Sequence, residues 1–226
     1  MTEISRRETL AWMSAALAGP WVVVPNGPAA AQGDTGLWKE LDVAPITVPG
    51  YGSDPNLLKP SVPWPLTLTD GQRATLRIAA DLMLPADDRS PSGSALGLDA
   101  FIDEWVSAPY PDQQRDRRLL LSGLAWLDAE SSARFGHAFA AAGDSERRAI
   151  FDSIAFKQKV QPGYERPAFF FARLRGLMLG GFFSRPEGMK DIGYLGNVPS
   201  TDFAGPSTEA MAHLHAALAK LDIRSA

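Results

Sequence analysis

From residue 69 onward, the apolar residues of this chain recur with the period of an α-helix, and prolines and glycines separate the periodic stretches. The first stretch has Thr69 or Asp70 as its N-cap and ends at Pro85. Further helices are predicted over 98–108, 111–135, 144–156, 167–183 and 206–221. After Val48, no run of β-branched residues alternates at the two-residue period of a strand. The sequence therefore predicts an all-α fold, an irregular bundle of about five or six helices.

Composition limits the chemistry that such a bundle can perform. The 226 residues, 45% of them hydrophobic, are enough for one buried core. A net charge of −4 leaves no basic surface for DNA or RNA, so no nucleic-acid partner is expected. The chain has no cysteine, which excludes disulfides, thiolate metal sites, a thiol nucleophile and covalent haem attachment through cysteine.

The first 31 residues have the order of an export signal. Arg6 and Arg7 precede an apolar run that begins at Leu10 and continues for about 15 residues, fewer than the ~20 that span a bilayer. The motif SRRETL at 5–10 resembles a twin-arginine signal, SRRxxL, although Thr9 stands where a phenylalanine is often found. We therefore expect export by the twin-arginine translocase, a route that carries folded proteins.

Small residues follow the apolar run and indicate where the leader is cut. Ala29 and Ala31 fit the small-x-small pattern, and cleavage after Ala31 leaves 195 residues. The alternative is an uncut leader that anchors the protein to the membrane. The expected organisation is a signal peptide over 1–31, an arm or linker over 32–68, and a helical domain over 69–226.

The arm is rich in proline and shows no sustained hydrophobic period. Its prolines are Pro45, Pro49, Pro55, Pro60, Pro63 and Pro65. It also carries Trp38, Tyr51 and Trp64, too many large apolar side chains for a fully solvated tail. Two interpretations stay open: the arm packs on its own domain, or it wraps around a partner.

Histidines and carboxylates give no pattern of an active site. His213 and His215 project about 200° apart on their predicted helix, so one metal ion cannot bind both from that helix alone. His137 follows the third helix, where a cation would interact well with the helix dipole. The adjacent carboxylates at 87–88 and 103–104 are interpreted as solvated helix ends and faces.

Sequence motifs of nucleotide binding, serine hydrolysis and zinc proteolysis are also missing. No catalytic, cofactor-binding or metal-binding residue is therefore predicted in this chain.

The segment FFFARLRGLMLGGFF at 169–183 is apolar around much of its circumference, with Arg173 and Arg175 as its only charges. A helix that is apolar on several sides must be buried on several sides. It is either the central helix of the bundle or a helix with one face against another protein. The residues that follow, 184–199, are predicted to form a structured loop.

Four motifs in this order resemble the gluconate 2-dehydrogenase subunit 3 family. They are DLMLPADD at 81–88, FID at 101–103, SGLAWLD at 122–128, and the segment from 169 that ends in GYLGNVP at 193–199. The resemblance covers about 69–199 and is joined to the twin-arginine leader.

The resemblance implies a non-catalytic small subunit of a periplasmic, membrane-associated dehydrogenase complex acting on sugars, sugar acids or polyols. In such complexes the large subunit resembles the glucose–methanol–choline oxidoreductases, binds FAD and usually has no export signal. The small subunit is thought to escort it across the membrane, and a multihaem cytochrome c subunit often accepts the electrons. No cofactor is expected in this chain itself.

On this hypothesis, Arg6, Arg7 and Leu10 form the export signal, and the aromatic helix with its following loop binds the large subunit. The candidate anchors are Phe169, Phe171, Arg173, Phe182, Phe183, Tyr194 and Asn197. The alternative is an autonomous periplasmic enzyme or small-molecule-binding protein, for which the sequence offers no convergent acid, base or nucleophile.

Overall fold

The computed structural model describes residues 37–53, 55–56, 58–194, 196 and 205–221. These residues contain no strand, so the predicted all-α fold is confirmed. They form seven α-helices: α1 (Asp70–Met83), α2 (Leu98–Ser107), α3 (Pro111–Phe135), α4 (Asp144–Ala155), α5 (Glu165–Phe183), α6 (Pro186–Asp191) and α7 (Thr208–Lys220). Two single 3₁₀ turns lie at Phe139–Ala141 and Lys157–Lys159. None of the described helices is long and apolar enough to cross a bilayer.

The chain divides into two compact units, Met1–Gly193 and Tyr194–Ala226. The first contains the arm and helices α1 to α6, and the second contains α7. The sequence did not predict this division, because the apolar period of α7 is as regular as that of the bundle helices.

Helix α5 lies at the centre of the first unit, in contact with α2, α3, α4 and α6. Each neighbour offers the apolar stripe that its period predicts. The buried side chains include Leu76 and Ala80 from α1, Leu98 and Ile102 from α2, Leu120, Leu124 and Leu127 from α3, and Ile150, Phe151 and Ile154 from α4. One continuous core therefore holds helices α1 to α5 together.

The described part of the arm packs on its own domain. Trp38 is buried against Phe170 of α5, with ring centroids 6.4 Å apart. The backbone N–H of Leu41 donates to Ser122 Oγ of α3 at 2.9 Å, and further along the arm Tyr51 N–H donates to the Tyr110 hydroxyl at 2.8 Å. Of the two interpretations of the arm, the structure shows the first.

The arm ends where α1 begins, and a buried carboxylate fixes this junction. Asp103 of α2 is fully buried and accepts the backbone N–H groups of Thr67 and Leu68 at 3.2 and 3.1 Å. Thr69 then caps α1 as predicted: its hydroxyl accepts the Gln72 N–H, and the Gln72 side chain accepts the Thr69 N–H. Asp103 was predicted as a solvated helix residue, and its burial corrects that interpretation.

Three helix starts differ from the prediction. Helix α7 begins at Thr208 instead of Pro206, because Ser207 is its N-cap. Helix α4 has Gly143 as its N-cap instead of Asp144 or Ser145, because the Glu146 side chain reaches back to the Gly143 N–H at 2.7 Å. Helix α5 starts at Glu165, two residues before the predicted Pro167, since a proline is tolerated in a first turn.

The predicted loop at 184–199 contains the short helix α6. Pro186 cannot continue α5, because it lacks an N–H and its ring would clash with the preceding turn, but it suits the first position of a new helix. Gly188 is buried against the end of α5, where an added Cβ would lie 2.2 Å from the Phe182 carbonyl oxygen. A single six-residue turn like α6 is too short to give a hydrophobic period.

Candidate partner-binding surface

Helix α5 is buried on most of its circumference. The side chains that it gives to the core are Phe170, Phe171, Leu174, Leu177, Met178 and Phe182, none of them more than 6% exposed. The sequence left open whether α5 is the central helix of the bundle or meets another protein. The structure shows that it is the central helix and that one narrow face nevertheless reaches the surface.

We call this the outer face of α5 and define it by five residues: Phe169, Ala172, Gly176, Gly180 and Phe183. At 100° per residue they fall within an arc of about 80°, and they extend over about 21 Å of the helix. Phe169 is 42% exposed and Phe183 is partly exposed. The outer face is therefore a shallow apolar saddle with a phenylalanine at each end.

The two glycines make the floor of this saddle. A Cβ added at Gly176 or Gly180 would meet nothing within 4 Å. Glycine inside a helix destabilises it by about 1 kcal/mol relative to alanine. Nothing within the described part of the chain requires this loss.

Two other helix glycines of the bundle, Gly123 and Gly181, have an internal reason. A Cβ at Gly181 would come within 2.8 Å of the Phe101 ring, and a Cβ at Gly123 of α3 would come within 2.0 Å of the Phe170 ring. At both positions the chain packs against itself so closely that only glycine fits. Gly176 and Gly180 therefore stand apart from them.

An arginine at the N-terminal end of the outer face joins it to the arm. Arg166 donates to both carboxylate oxygens of Glu40 at 2.9 and 2.7 Å. Its guanidinium lies 5.7 Å from the Trp38 ring centroid and 5.9 Å from that of Phe169. The ion pair and the two cation–π contacts fix this edge of the surface.

Arg173 borders the outer face and forms an ion pair within the chain. It donates two hydrogen bonds to Asp116 of α3, at 2.7 and 2.5 Å, and the Trp105 indole N–H donates to the same carboxylate at 2.8 Å. The hydrogen bond to Asp116 raises the pKa of Arg173 above its ordinary value. The border is therefore polar and paired, whereas the centre of the saddle carries no charge.

The structure separates the predicted anchors into groups. Phe169 and Phe183 reach the surface, and Tyr194, the first residue of the second unit, is 55% exposed. Phe171 and Phe182 are each 1% exposed. These two side chains belong to the core, because neighbouring helices surround α5 on more sides than its hydrophobic period predicts.

The remaining predicted site residues lie outside the described part of the chain. They are Asn197 and the leader residues Arg6, Arg7, Leu10, Ala29 and Ala31.

Two exposed residues, one in α6 and one at its C-cap, were not predicted. Met189 is 36% exposed and Ile192 is 60% exposed, and both follow directly after the Phe183 end of α5. The sequence signal for this helix is Pro186, which suits the first position of a helix. A helix of six residues is too short to show a hydrophobic period as well.

Two carboxylates of the DLMLPADD motif, Asp81 and Asp87, accept hydrogen bonds from the backbone of loops. Asp87 accepts the N–H groups of Arg89 and Ser90 at 2.9 and 3.0 Å and so closes a turn. Asp81 of the same motif accepts the N–H of Ser94 at 2.8 Å. These carboxylates act as internal caps that fix the loop between α1 and α2.

The histidines are placed on helices and at a helix end, as predicted. His137 Nε2 lies 2.9 Å from Glu146 Oε2. The Gly143 N–H, with His137 as the second cause, lowers the pKa of Glu146 below its ordinary value. His213 and His215 are exposed on α7. Across the described residues, no three or more histidine, aspartate or glutamate side chains are grouped closely enough to hold a metal ion.

Comparison with known proteins identifies the family of the chain. Residues 70–201 match the model of the family described as gluconate 2-dehydrogenase subunit 3. Neither a curated protein nor a solved structure matches the chain. The matched segment includes the bundle helices α1 to α6 and the whole outer face of α5. The chain belongs to the gluconate 2-dehydrogenase subunit 3 family.

Proposed function

We propose that this chain is the non-catalytic small subunit of a periplasmic flavoprotein dehydrogenase, and that it binds the catalytic subunit through the outer face of α5. The partner is a subunit of the glucose–methanol–choline type that holds FAD and oxidises CH–OH groups of sugars or sugar acids. The observation that carries the proposal is the open floor at Gly176 and Gly180 in a family named as a dehydrogenase subunit.

The physical basis for binding is close packing over the saddle. Small residues at four-residue spacing allow another backbone to approach the helix axis, and the phenylalanines at the two ends give that approach apolar contact area. The centre carries no charge, so covering it requires little desolvation of polar groups. Such a surface suits a permanent, mostly apolar interface.

The saddle is too small to hold a partner alone, so in this proposal it is the centre of a larger interface. A face about 21 Å long and about 10 Å wide presents roughly 200 Å² in projection. A stable complex buries about 800 Å² on each partner. The exposed Met189 of α6 and its C-cap residue Ile192 extend the apolar area beyond Phe183. Further parts of the chain must contribute the rest of the buried area.

The proposal includes an escort role. Arg6 and Arg7 would direct the assembled, folded complex to the twin-arginine translocase, so that a catalytic subunit without its own signal is exported. Cleavage after Ala31 would leave a short tail before Leu37, the first described residue of the docked arm. In the periplasm, a multihaem cytochrome c subunit would accept electrons from the FAD of the partner.

The experiment is co-expression of the full chain with the flavoprotein dehydrogenase encoded beside it. We expect the two to copurify and both to appear in the periplasmic fraction, and an Arg6→Lys/Arg7→Lys variant to retain both in the cytoplasm while copurification persists. A chain that purifies alone, while the flavoprotein is exported normally without it, would overturn the proposal. Substrate turnover by the isolated chain would favour an autonomous enzyme instead.

A further inference from the structure

Helix α7 has an apolar stripe that none of the described residues of the second unit buries. Its 13 residues include Met211, Leu214 and Leu218, and Leu221 follows as its C-cap. At 100° per residue these four side chains fall within an arc of about 80°. None of the helix residues is buried, and Leu214 and Leu221 are 46% and 69% exposed.

A helix of this kind needs a surface to pack on. Isolated helices shorter than about 12 to 15 residues are marginal in water, even when they are rich in alanine. The Ser207 hydroxyl accepts the Ala210 N–H at 3.2 Å and caps the first turn, but capping does not bury the apolar stripe. The stripe is therefore built to be covered.

Pairing with α7 of a second copy of the chain would bury too little surface to be stable. The stripe fills only two heptads, whereas coiled-coil pairing needs three to four or more. A 13-residue helix is about 20 Å long and offers roughly 200 Å² in projection, far below the about 800 Å² per partner of a stable dimer. The same area is well suited to an additional anchor on a partner that is already held elsewhere.

The extent of the family match supports a separate, additional anchor. The match ends at residue 201, before α7 begins, so α7 lies outside the segment matched to the family. Gly193, Gly196 and Gly205 precede it with positive φ angles, a conformation that glycine adopts without strain.

We infer that α7 is a docking helix that lays Met211, Leu214, Leu218 and Leu221 into an apolar groove of the catalytic subunit. This inference rests on the proposed function, and it adds a second contact to the one made by the outer face of α5. The recognition is of the helix-in-groove type, in which residues at i, i+3, i+7 and i+10 are the anchors. The opposite side of α7, with Glu209, His213 and Lys220, stays in water.

The test compares two double variants of the full chain in complex with the catalytic subunit. Leu214→Asp/Leu218→Asp puts two charges on the stripe, and His213→Asp/Ala216→Asp puts the same two charges on the opposite side of the same helix. We expect the first to weaken the dissociation constant of the complex at least tenfold and the second to change it less than twofold. Hydrogen exchange of the α7 amides should slow at least tenfold when the catalytic subunit binds.

Three results would overturn the inference. Equal dissociation constants for the two variants would show that the stripe does not bind the partner. Protection of α7 that is equally strong in the free monomer would show that the chain covers the stripe itself, and self-association abolished only by the stripe variant would identify a second copy as the occupant. If the wild-type chain does not bind the catalytic subunit at all, the proposed function fails together with this inference. If the wild type binds and the two variants bind equally well, only the inference about α7 fails.

Discussion

Gly123 of α3 lies directly against the ring of Phe170 in α5, so closely that an added Cβ would come within 2.0 Å of the ring. This contact brings the two longest helices of the bundle together and holds α5 in its central position. The exposed face of α5 is thus fixed by packing on the buried side. At Gly176, by contrast, a Cβ would meet nothing within 4 Å. Gly123 is therefore required for folding, whereas Gly176 is available for binding.

Substitution Gly123→Ala should destabilise the fold. The Phe170 ring is fully buried and cannot move aside without displacing its neighbours, so overpacking should lower the free energy of unfolding by roughly 1 to 3 kcal/mol. Urea denaturation of the mature chain measures this change. An unchanged midpoint would show that α3 and α5 are not packed as closely as described.

Substitutions Gly176→Ala and Gly180→Ala should have the opposite effect. Each adds a methyl group into open space and removes the helix penalty of glycine, so each should raise the free energy of unfolding of the isolated chain by up to about 1 kcal/mol. The same denaturation experiment checks it. A loss of stability would mean that the outer face is already covered by the chain itself.

Substitution Trp38→Ala should release the arm from the bundle. Trp38 packs on Phe170 and beneath Arg166, and deleting a buried tryptophan lowers the free energy of unfolding by roughly 3 kcal/mol. Limited proteolysis should cut the arm of this variant faster than that of the wild type. Leu58→Ala is the control within the arm, since Leu58 is 95% exposed and its truncation should change neither measurement.

The phenol of Tyr164 should titrate far above its ordinary range. Burial, followed by its hydrogen bond to Glu130 at 2.6 Å, raises the pKa of Tyr164 from 10.0 to about 12. Because the folded-state pKa is the higher one, the stabilisation is complete below pH 10 and is lost as the pH rises toward 12.

An ultraviolet titration of tyrosinate measures this pKa. The wild type should show a component near pH 12 that is missing in Tyr164→Phe. If the absorbance that Tyr164→Phe removes titrates near pH 10 in the wild type, the burial of Tyr164 and its hydrogen bond to Glu130 are contradicted.

Five of the bundle helices followed from the sequence for clear physical reasons. Their apolar residues recur at 3.6-residue spacing, and their ends carry local signals such as Thr69 before α1, Pro111 in the first turn of α3 and Gly136 after it. Such signals act within a few residues, so one sequence contains them completely. The short α6 has the proline signal without the period and was overlooked.

Long-range packing could not be predicted in the same way. In a segment where most residues are apolar, the period does not decide which phenylalanines face inward, and only the positions of α3 and α4 place Phe171 in the core and Phe169 at the surface. The same holds for Asp103, whose burial depends on the arm passing over it. Both outcomes depend on contacts between distant parts of the chain.

The most direct test of the account is the affinity of the full chain for its catalytic flavoprotein subunit after a leucine is placed on the floor of the outer face. A Cβ added at Gly180 meets nothing within 4 Å, and Gly71→Leu is the matched control in an exposed position of α1. We expect Gly180→Leu to weaken the dissociation constant at least tenfold while the isolated chain stays folded, and Gly71→Leu to leave the dissociation constant unchanged. An unaltered affinity for Gly180→Leu would contradict binding through the outer face of α5.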